Sequence, residues 1–112
     1  MKIALIGATG FVGNAILKEA LSRDSKVTAI VRNPAKLTVN DVKLSVVEGD
    51  VMNQRNLVKQ LKGHDIVISA YNPGWTNPDI YNEYLKGAQN IQEATKQAGV
   101  KRLFVIGGAG SL

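Results

Sequence analysis

Five short apolar runs punctuate the chain, at residues 3–6, 27–31, 44–47, 66–70 and 103–106. Each is four or five residues long, rich in Ile and Val, and nearly continuous rather than alternating. A strand with one wet face alternates apolar and polar residues. A continuous run of this length predicts a strand covered on both faces, as in a parallel sheet. Between the runs the spacing becomes helical. Residues 11–22 carry Val12, Ala15, Ile16 and Leu21 as an apolar stripe, and residues 53–61 turn Leu57, Val58 and Leu61 inward behind Asn53 as a helix cap. From residue 79 to 97, Ile80, Tyr84, Ala88, Ile91, Thr95 and Ala98 fall at steps of four, four, three, four and three, which is one helical face. Gly99 stands where a glycine commonly ends a helix. Asn33-Pro34 marks a turn, so residues 33–41 read as a loop with at most one short helical turn.

Strand and helix alternate along the whole chain, which predicts an α/β doubly wound fold. Right-handed crossovers then give a five-stranded parallel sheet of the Rossmann type in the order 3-2-1-4-5. The 112 residues are the size of one domain, with no linker, repeat or low-complexity segment. Composition narrows the chemistry. The absence of cysteine removes disulfides, thiolate metal sites and thiol catalysis, and suits the reducing cytoplasm. The single histidine, His64, falls before the fourth strand, at the wrong end of the sheet for a general base, and no metal site is expected. No apolar run approaches the length of a membrane span, so no membrane partner is expected. The net charge is +5, but no basic run exceeds two residues. That distribution reads as a solvated positive surface rather than a nucleic-acid face, with a few charges left for an anionic cofactor.

Gly7-Ala8-Thr9-Gly10-Phe11-Val12-Gly13 lies directly after the first strand and opens the first helix. The tight turn needs a residue without a side chain. The helix start offers free N–H groups and the positive end of a dipole to a pyrophosphate. Gly10 would let the backbone approach the phosphates, and Gly13 would let the helix pack close to the strand. In this strand–turn–helix setting the motif predicts dinucleotide binding. Sites selective for NAD place an acidic residue about 20 positions past the glycines, against the ribose hydroxyls. Here the second strand ends at Val31 and the next residue is Arg32, which could pair with a 2′-phosphate through its planar fork, with Lys36 assisting. NADP is therefore favoured over NAD. Asp50, in Gly49-Asp50-Val51 after the third strand, is either an acceptor for the adenine amino group or a turn aspartate. Ala70 and Tyr71 end the fourth strand along the expected path of the riboses. Gly107 and Gly108 follow the fifth, where a nicotinamide ring needs room. The expected cofactor contacts are thus Gly7, Thr9, Gly10, Phe11, Val12, Gly13, Arg32, Asp50, Val51, Ala70, Tyr71, Gly107 and Gly108. Tyr71 and Trp75, in the loop after the fourth strand, are either stacking partners for a planar substrate or loop packing.

The Gly-x-x-Gly-x-x-Gly turn, Val-Arg-Asn-Pro after the second strand, Gly-Asp-Val after the third and Gly-Val-Lys-Arg before the fifth together resemble the atypical short-chain dehydrogenases. Within these, Ser-Ala-Tyr-Asn-Pro-Gly-Trp and Gly-Gly-Ala-Gly-Ser-Leu are similar to segments of the NmrA-like and NADH-flavin-reductase group, whose members are often described as NAD-dependent epimerases or dehydratases. The resemblance covers essentially the whole chain. It implies an NADPH-dependent oxidoreductase, with a non-catalytic dinucleotide sensor and a sugar-nucleotide epimerase or dehydratase as alternatives. Members of the group are about twice as long, and their later part supplies most of the substrate pocket. Residues 1–112 are therefore expected to be the cofactor-binding half of a truncated protein, with an unidentified small-molecule substrate and self-association through uncovered apolar faces. The Tyr-x-x-x-Lys pair used by many members is absent. Four residues beyond Tyr71, Tyr81 and Tyr84 stand Trp75, Leu85 and Ala88, and the serine or threonine of extended members is replaced by Gly107 and Gly108. Hydride transfer to a flavin, which needs little acid–base help, suits those glycines better.

Overall fold

The computed structural model describes residues 1–71 and 80–106. For Phe11, Ile80, Tyr81, Glu83 and Tyr84 the description stops at the backbone. The elements follow one another as β1 (Lys2–Ile6), α1 (Phe11–Ser22), β2 (Lys26–Val31), a short 3-10 turn (Pro34–Lys36), β3 (Leu44–Glu48), α2 (Gln54–Leu61), β4 (Ile66–Ser69), α3 (Ile80–Gln97) and β5 (Leu103–Val105). The five strands form one sheet in the order β3-β2-β1-β4-β5, and every pairing is parallel. This is the doubly wound order expected from right-handed crossovers.

The two faces of the sheet carry separate cores, which is why the central strands read as unbroken apolar runs. Ile3 and Leu5 of β1 join Val27, Ala29 and Val31 of β2 against Leu17, Ala20 and Leu21 of α1. The alternate residues, Ala4, Ile6 and Ile30, join Leu57 and Leu61 of α2 and Ile91 and Ala94 of α3 on the opposite face. The inward positions read for α2 hold, with Leu57 and Leu61 buried and Val58 half-buried. Asn53 caps α2, its side chain accepting from the Asn56 amide at 3.2 Å. Gly99 ends α3 with a φ of +79°.

The stripe read for α1 requires correction. Val12 is 45% exposed and Ala15 is also exposed, whereas Gly13, Leu17, Ala20 and Leu21 face the sheet. The cause is the approach at Gly13. A Cβ there would lie 2.0 Å from the Gly7 carbonyl oxygen, so the helix is rotated to press position 13 onto the turn, and positions 17, 20 and 21 follow on the same face. At the other end of α1, the Lys43 ammonium donates to the Leu21 carbonyl at 2.8 Å and to Asp24 Oδ1 at 2.9 Å. That clamp ties the helix end to the start of β3. Asp24 itself sits in the left-handed region at φ 63°. No helix among the described residues is long and apolar enough to cross a membrane.

Candidate functional site

β1 runs out at Ile6 and the chain reverses at Gly7, whose φ is +85°. A Cβ at Gly7 would also stand 2.6 Å from the Ala70 carbonyl oxygen, so both backbone conformation and the neighbouring strand require glycine. The Gly10 amide donates to the Gly7 carbonyl at 3.3 Å, closing the turn, and Gly10 becomes the N-cap of α1 in extended backbone. Gly10 differs from its neighbours. Among the described residues a Cβ there would meet only the Gly7 oxygen, at an ordinary 3.6 Å. The protein's own atoms do not demand glycine at this position, and the open space lies over the helix start. The amides of Val12 and Gly13 have no hydrogen-bond partner among the described residues, and no acidic side chain occupies the first turn. The positive end of α1 is therefore open to an anion.

Beside this turn, at the carboxyl ends of β1 and β2, lies a cavity of about 150 Å³. Ile6, Gly7 and Thr9 form one wall, Val31, Arg32, Asn33 and Lys36 a second, and Gly49, Val51 and Tyr71 close it. It opens at the carboxyl ends of the strands, the side on which open α/β sheets bind ligands, and Tyr71 reaches it from beyond β4, across the point where the strand order reverses. A wider outer hollow of about 500 Å³ is bordered by Arg32, Glu48, Gly49, Asp50, Asn53 and Asn56. Arg32 lines both spaces and is exposed. The ion pairs among the described residues, Arg23–Glu19 and Lys43–Asp24, do not involve it. Asn33 holds the turn after β2, its side chain accepting from the Ala35 amide at 3.2 Å, and so places Lys36 on the same rim.

The residues singled out in the sequence are thus distributed as follows. Gly7, Thr9, Arg32, Val51 and Tyr71 come together around the inner cavity, and Asp50 borders the outer hollow. Asp50 also serves its turn, with Oδ1 accepting from the Met52 amide at 2.9 Å. Gly10 and Val12 lie exposed at the helix start, where Phe11 contributes backbone. Gly13 is buried and packs rather than lines. Ala70 offers its carbonyl beneath Gly7. Gly107, Gly108 and Trp75 lie outside the described residues.

Sequence reasoning passed over Asn33, Gly49 and Gly87. The Asn-Pro pair was the available signal for the first. A Cβ at Gly49 would lie 2.5 Å from Gln60 Oε1 and 2.7 Å from Ile30 Cγ2, so this glycine keeps the cavity floor thin. Gly87, inside α3, carried no local signal. A Cβ there would stand 2.3 Å from Tyr71 Cε2, so the Tyr71 ring is seated against the bare helix backbone.

A family model described as NAD(P)H-binding matches residues 7–112. The chain is 39% identical over 112 residues to uncharacterized protein YwnB of Bacillus subtilis, covering all of this chain and 49% of that protein. It is 47% identical to a candidate epimerase of Bacteroides thetaiotaomicron, whose crystal structure matches with a TM-score of 0.86 over 99% of this chain and 49% of that one. The oxidoreductase ylbE of Lactococcus lactis matches with a TM-score of 0.84 at 29% identity, over 96% of this chain and 48% of that one. The chain spans about half the length of these relatives.

Proposed function

The chain belongs to the NAD(P)H-binding family, and from that premise we propose that it is the cofactor-binding part of an NADPH-dependent, flavin-reductase-like oxidoreductase. The observation that carries the cofactor choice is the cationic rim after β2. Arg32 and Lys36 line the inner cavity with Asn33, and no carboxylate stands at the β2 tip where an NAD-selective site would hold the ribose hydroxyls. Glu48 and Asp50 border the outer hollow instead, so the 2′-phosphate is assigned to the inner cavity, between the guanidinium and the ammonium.

The open space over Gly10 and the unpaired amides of Val12 and Gly13 support a pyrophosphate at the start of α1. Among the described residues Asp50 Oδ2 has no partner, which suits the adenine amino group. Bound in this way, a nicotinamide dinucleotide supplies a hydride. Gly107 and Gly108 stand where extended members carry a serine or threonine, which suits a flavin acceptor better than an alcohol or ketone needing a proton relay. Substrate-contacting groups are assigned to sequence beyond residues 1–112, since the relatives are about twice as long. Self-association through the exposed Phe104 and Val105 of β5, and a cytoplasmic location consistent with the lack of cysteine, belong to the same reading. An epimerase is the second reading, favoured by the Bacteroides likeness. A dinucleotide sensor is the third, resting on the NmrA-like resemblance of the sequence.

Parallel calorimetric titration with NADPH and NADH tests the cofactor choice. NADPH is expected to bind about tenfold tighter or more, the worth of one charge-assisted phosphate contact, and Arg32→Glu is expected to abolish that preference. Tighter NADH binding, or NADPH preference surviving in Arg32→Glu, refutes the choice. NADPH oxidation with free flavin then separates the reductase from the sensor.

A further inference from the structure

The α2/α3 face of the sheet changes character at its amino edge. Toward the carboxyl ends it presents Ile6, Ile30 and Val47 to the core. Four residues earlier in β1, two and four earlier in β2, and two earlier in β3, the same alternation brings Lys2, Thr28, Lys26 and Ser45 to that face. The register sets them side by side, Lys2 beside Lys26 and Thr28 beside Ser45. α2 stops at Leu61 before reaching this edge, and the loop that follows brings Lys62 and His64 over it. The result is a cavity of about 290 Å³ at the end of the sheet opposite the dinucleotide pocket.

Its charge is one-sided. Like charges directly opposite on neighbouring strands destabilise a sheet, yet Lys2 and Lys26 are paired in register. None of the three lysines has a carboxylate partner among the described residues. The adjacent acid, Asp65, turns Oδ2 to the backbone amide of Lys2 at 2.8 Å. His64 is held in place. Nδ1 lies 3.1 Å from the Leu61 carbonyl, which can only accept, so Nδ1 carries a proton. Nε2 lies 3.0 Å from Thr28 Oγ1 and fixes that hydroxyl at the cavity wall. Gly63, at φ +84°, keeps the loop free of a side chain, and no atom of the described residues stands within 4 Å of where its Cβ would be.

From this arrangement we infer that the cavity binds a small phosphate-bearing anion, at a second site independent of the dinucleotide reading. The Thr28 hydroxyl is taken up by His64 Nε2, and three lysines from different elements together with the Ser45 hydroxyl suit a tetrahedral group with several acceptor oxygens. A carboxylate offers two acceptor oxygens and a phosphate three or more, and three lysines match the larger number. Its volume is at the small end for metabolite pockets.

The test uses the whole chain with inorganic pyrophosphate, followed by ¹H–¹⁵N correlation spectra. Saturable shifts are expected at the Gly63, His64 and Thr28 amides, with a dissociation constant below about 1 mM. Lys26→Gln/Lys62→Gln is expected to weaken them about tenfold or more, and Arg32→Gln to leave them within about twofold. The ligand should raise the melting temperature of wild type and Arg32→Gln by more than that of the double variant, in which only the start of α1 can still take pyrophosphate. Both lysines are exposed, so the double variant is expected to fold. A sugar monophosphate arm separates sources. Tighter binding than orthophosphate assigns a phosphate ester and equal binding the inorganic anion, and both uphold the phosphate site. The inference is overturned if no shift saturates near Gly63, or if sodium chloride at matched ionic strength reproduces the shifts. It is overturned equally if a short single-stranded oligonucleotide binds this face more tightly than pyrophosphate.

Discussion

Replacing Gly13 and Gly10 separately by alanine should divide the glycine turn into a packing half and a ligand half. A Cβ on residue 13 would stand 2.0 Å from the Gly7 oxygen, 2.8 Å from the Gly7 carbonyl carbon and 3.1 Å from Ala8 Cα. All three are backbone atoms, so no side-chain rotation can relieve the contact. α1 would have to retreat by more than an ångström, loosening Leu17, Ala20 and Leu21 from the sheet. Overpacking costs about 1–3 kcal/mol where side chains can yield, and an unyielding backbone puts this case at or above the upper end. Alanine regains about 0.5–1 kcal/mol inside a helix. The net loss is about 2–3 kcal/mol, which lowers the melting temperature of a domain this size by about 10 °C or more. Gly10→Ala should behave differently. Its φ of −75° and ψ of 166° are open to alanine, and the nearest atom among the described residues is 3.6 Å away. The poorer N-cap costs about 0.5–1 kcal/mol, and the stiffer unfolded chain offsets about 0.4–1 kcal/mol. Stability should hardly change, while the methyl group fills the space over the helix start and weakens dinucleotide binding about tenfold or more. Urea unfolding followed by circular dichroism reads the first quantity and calorimetry the second. If Gly13→Ala unfolds at the wild-type midpoint, the packing argument is wrong. If Gly10→Ala binds NADPH like wild type, the open space is not where the phosphates lie.

Two further substitutions probe features away from the turn. Gly87→Ala should destabilise the wild type because the new methyl meets the Tyr71 ring, yet stabilise a Tyr71→Ala background by about 0.5–1 kcal/mol through helix propensity. A double-mutant cycle by urea unfolding should show coupling of about 1 kcal/mol or more, and additivity would refute the contact. The Lys43 ammonium, donating to Asp24, holds the Asp24 carboxyl below its ordinary pKa, and the same bond raises Lys43 above its own. A lowered carboxyl pKa stabilises the fold above the unfolded value and loses that effect as pH falls through the folded value. A raised ammonium pKa stabilises below the unfolded value and loses it as pH rises through the folded one. Asp24→Asn keeps a residue that tolerates φ 63° but removes the charge. Wild type should therefore melt higher than the variant between the ordinary aspartate and lysine ranges. The gap should close as acid protonates Asp24 and shrink with added salt. A gap independent of pH would show that the ion pair contributes nothing.

The chain alone determined the order of elements, the parallel sheet and the place of the glycine turn. Each rests on a local signal that needs no partner: continuous apolar runs, helical spacing, an Asn cap, and glycines directly after β1. Arg32 and Lys36 were legible as a cationic pair because the strand end and the Asn-Pro turn fix their neighbourhood within a few residues. Helix rotation was not legible in the same way. Val12 and Ala15 are apolar and correctly spaced, yet they face outward, because the contact between Gly13 and the Gly7 carbonyl sets the roll of α1. The seat of Tyr71 depends on Gly87, sixteen residues later, and one glycine within a helix gives no hint of the ring that will cover it. Lys2, Lys26 and Lys62 look like scattered surface charges along the chain. Only the parallel register and the early end of α2 gather them around one cavity. Local propensity acts over a few residues and can be read from them, whereas rotation, cross-element seating and charge convergence arise from contacts between segments distant in sequence.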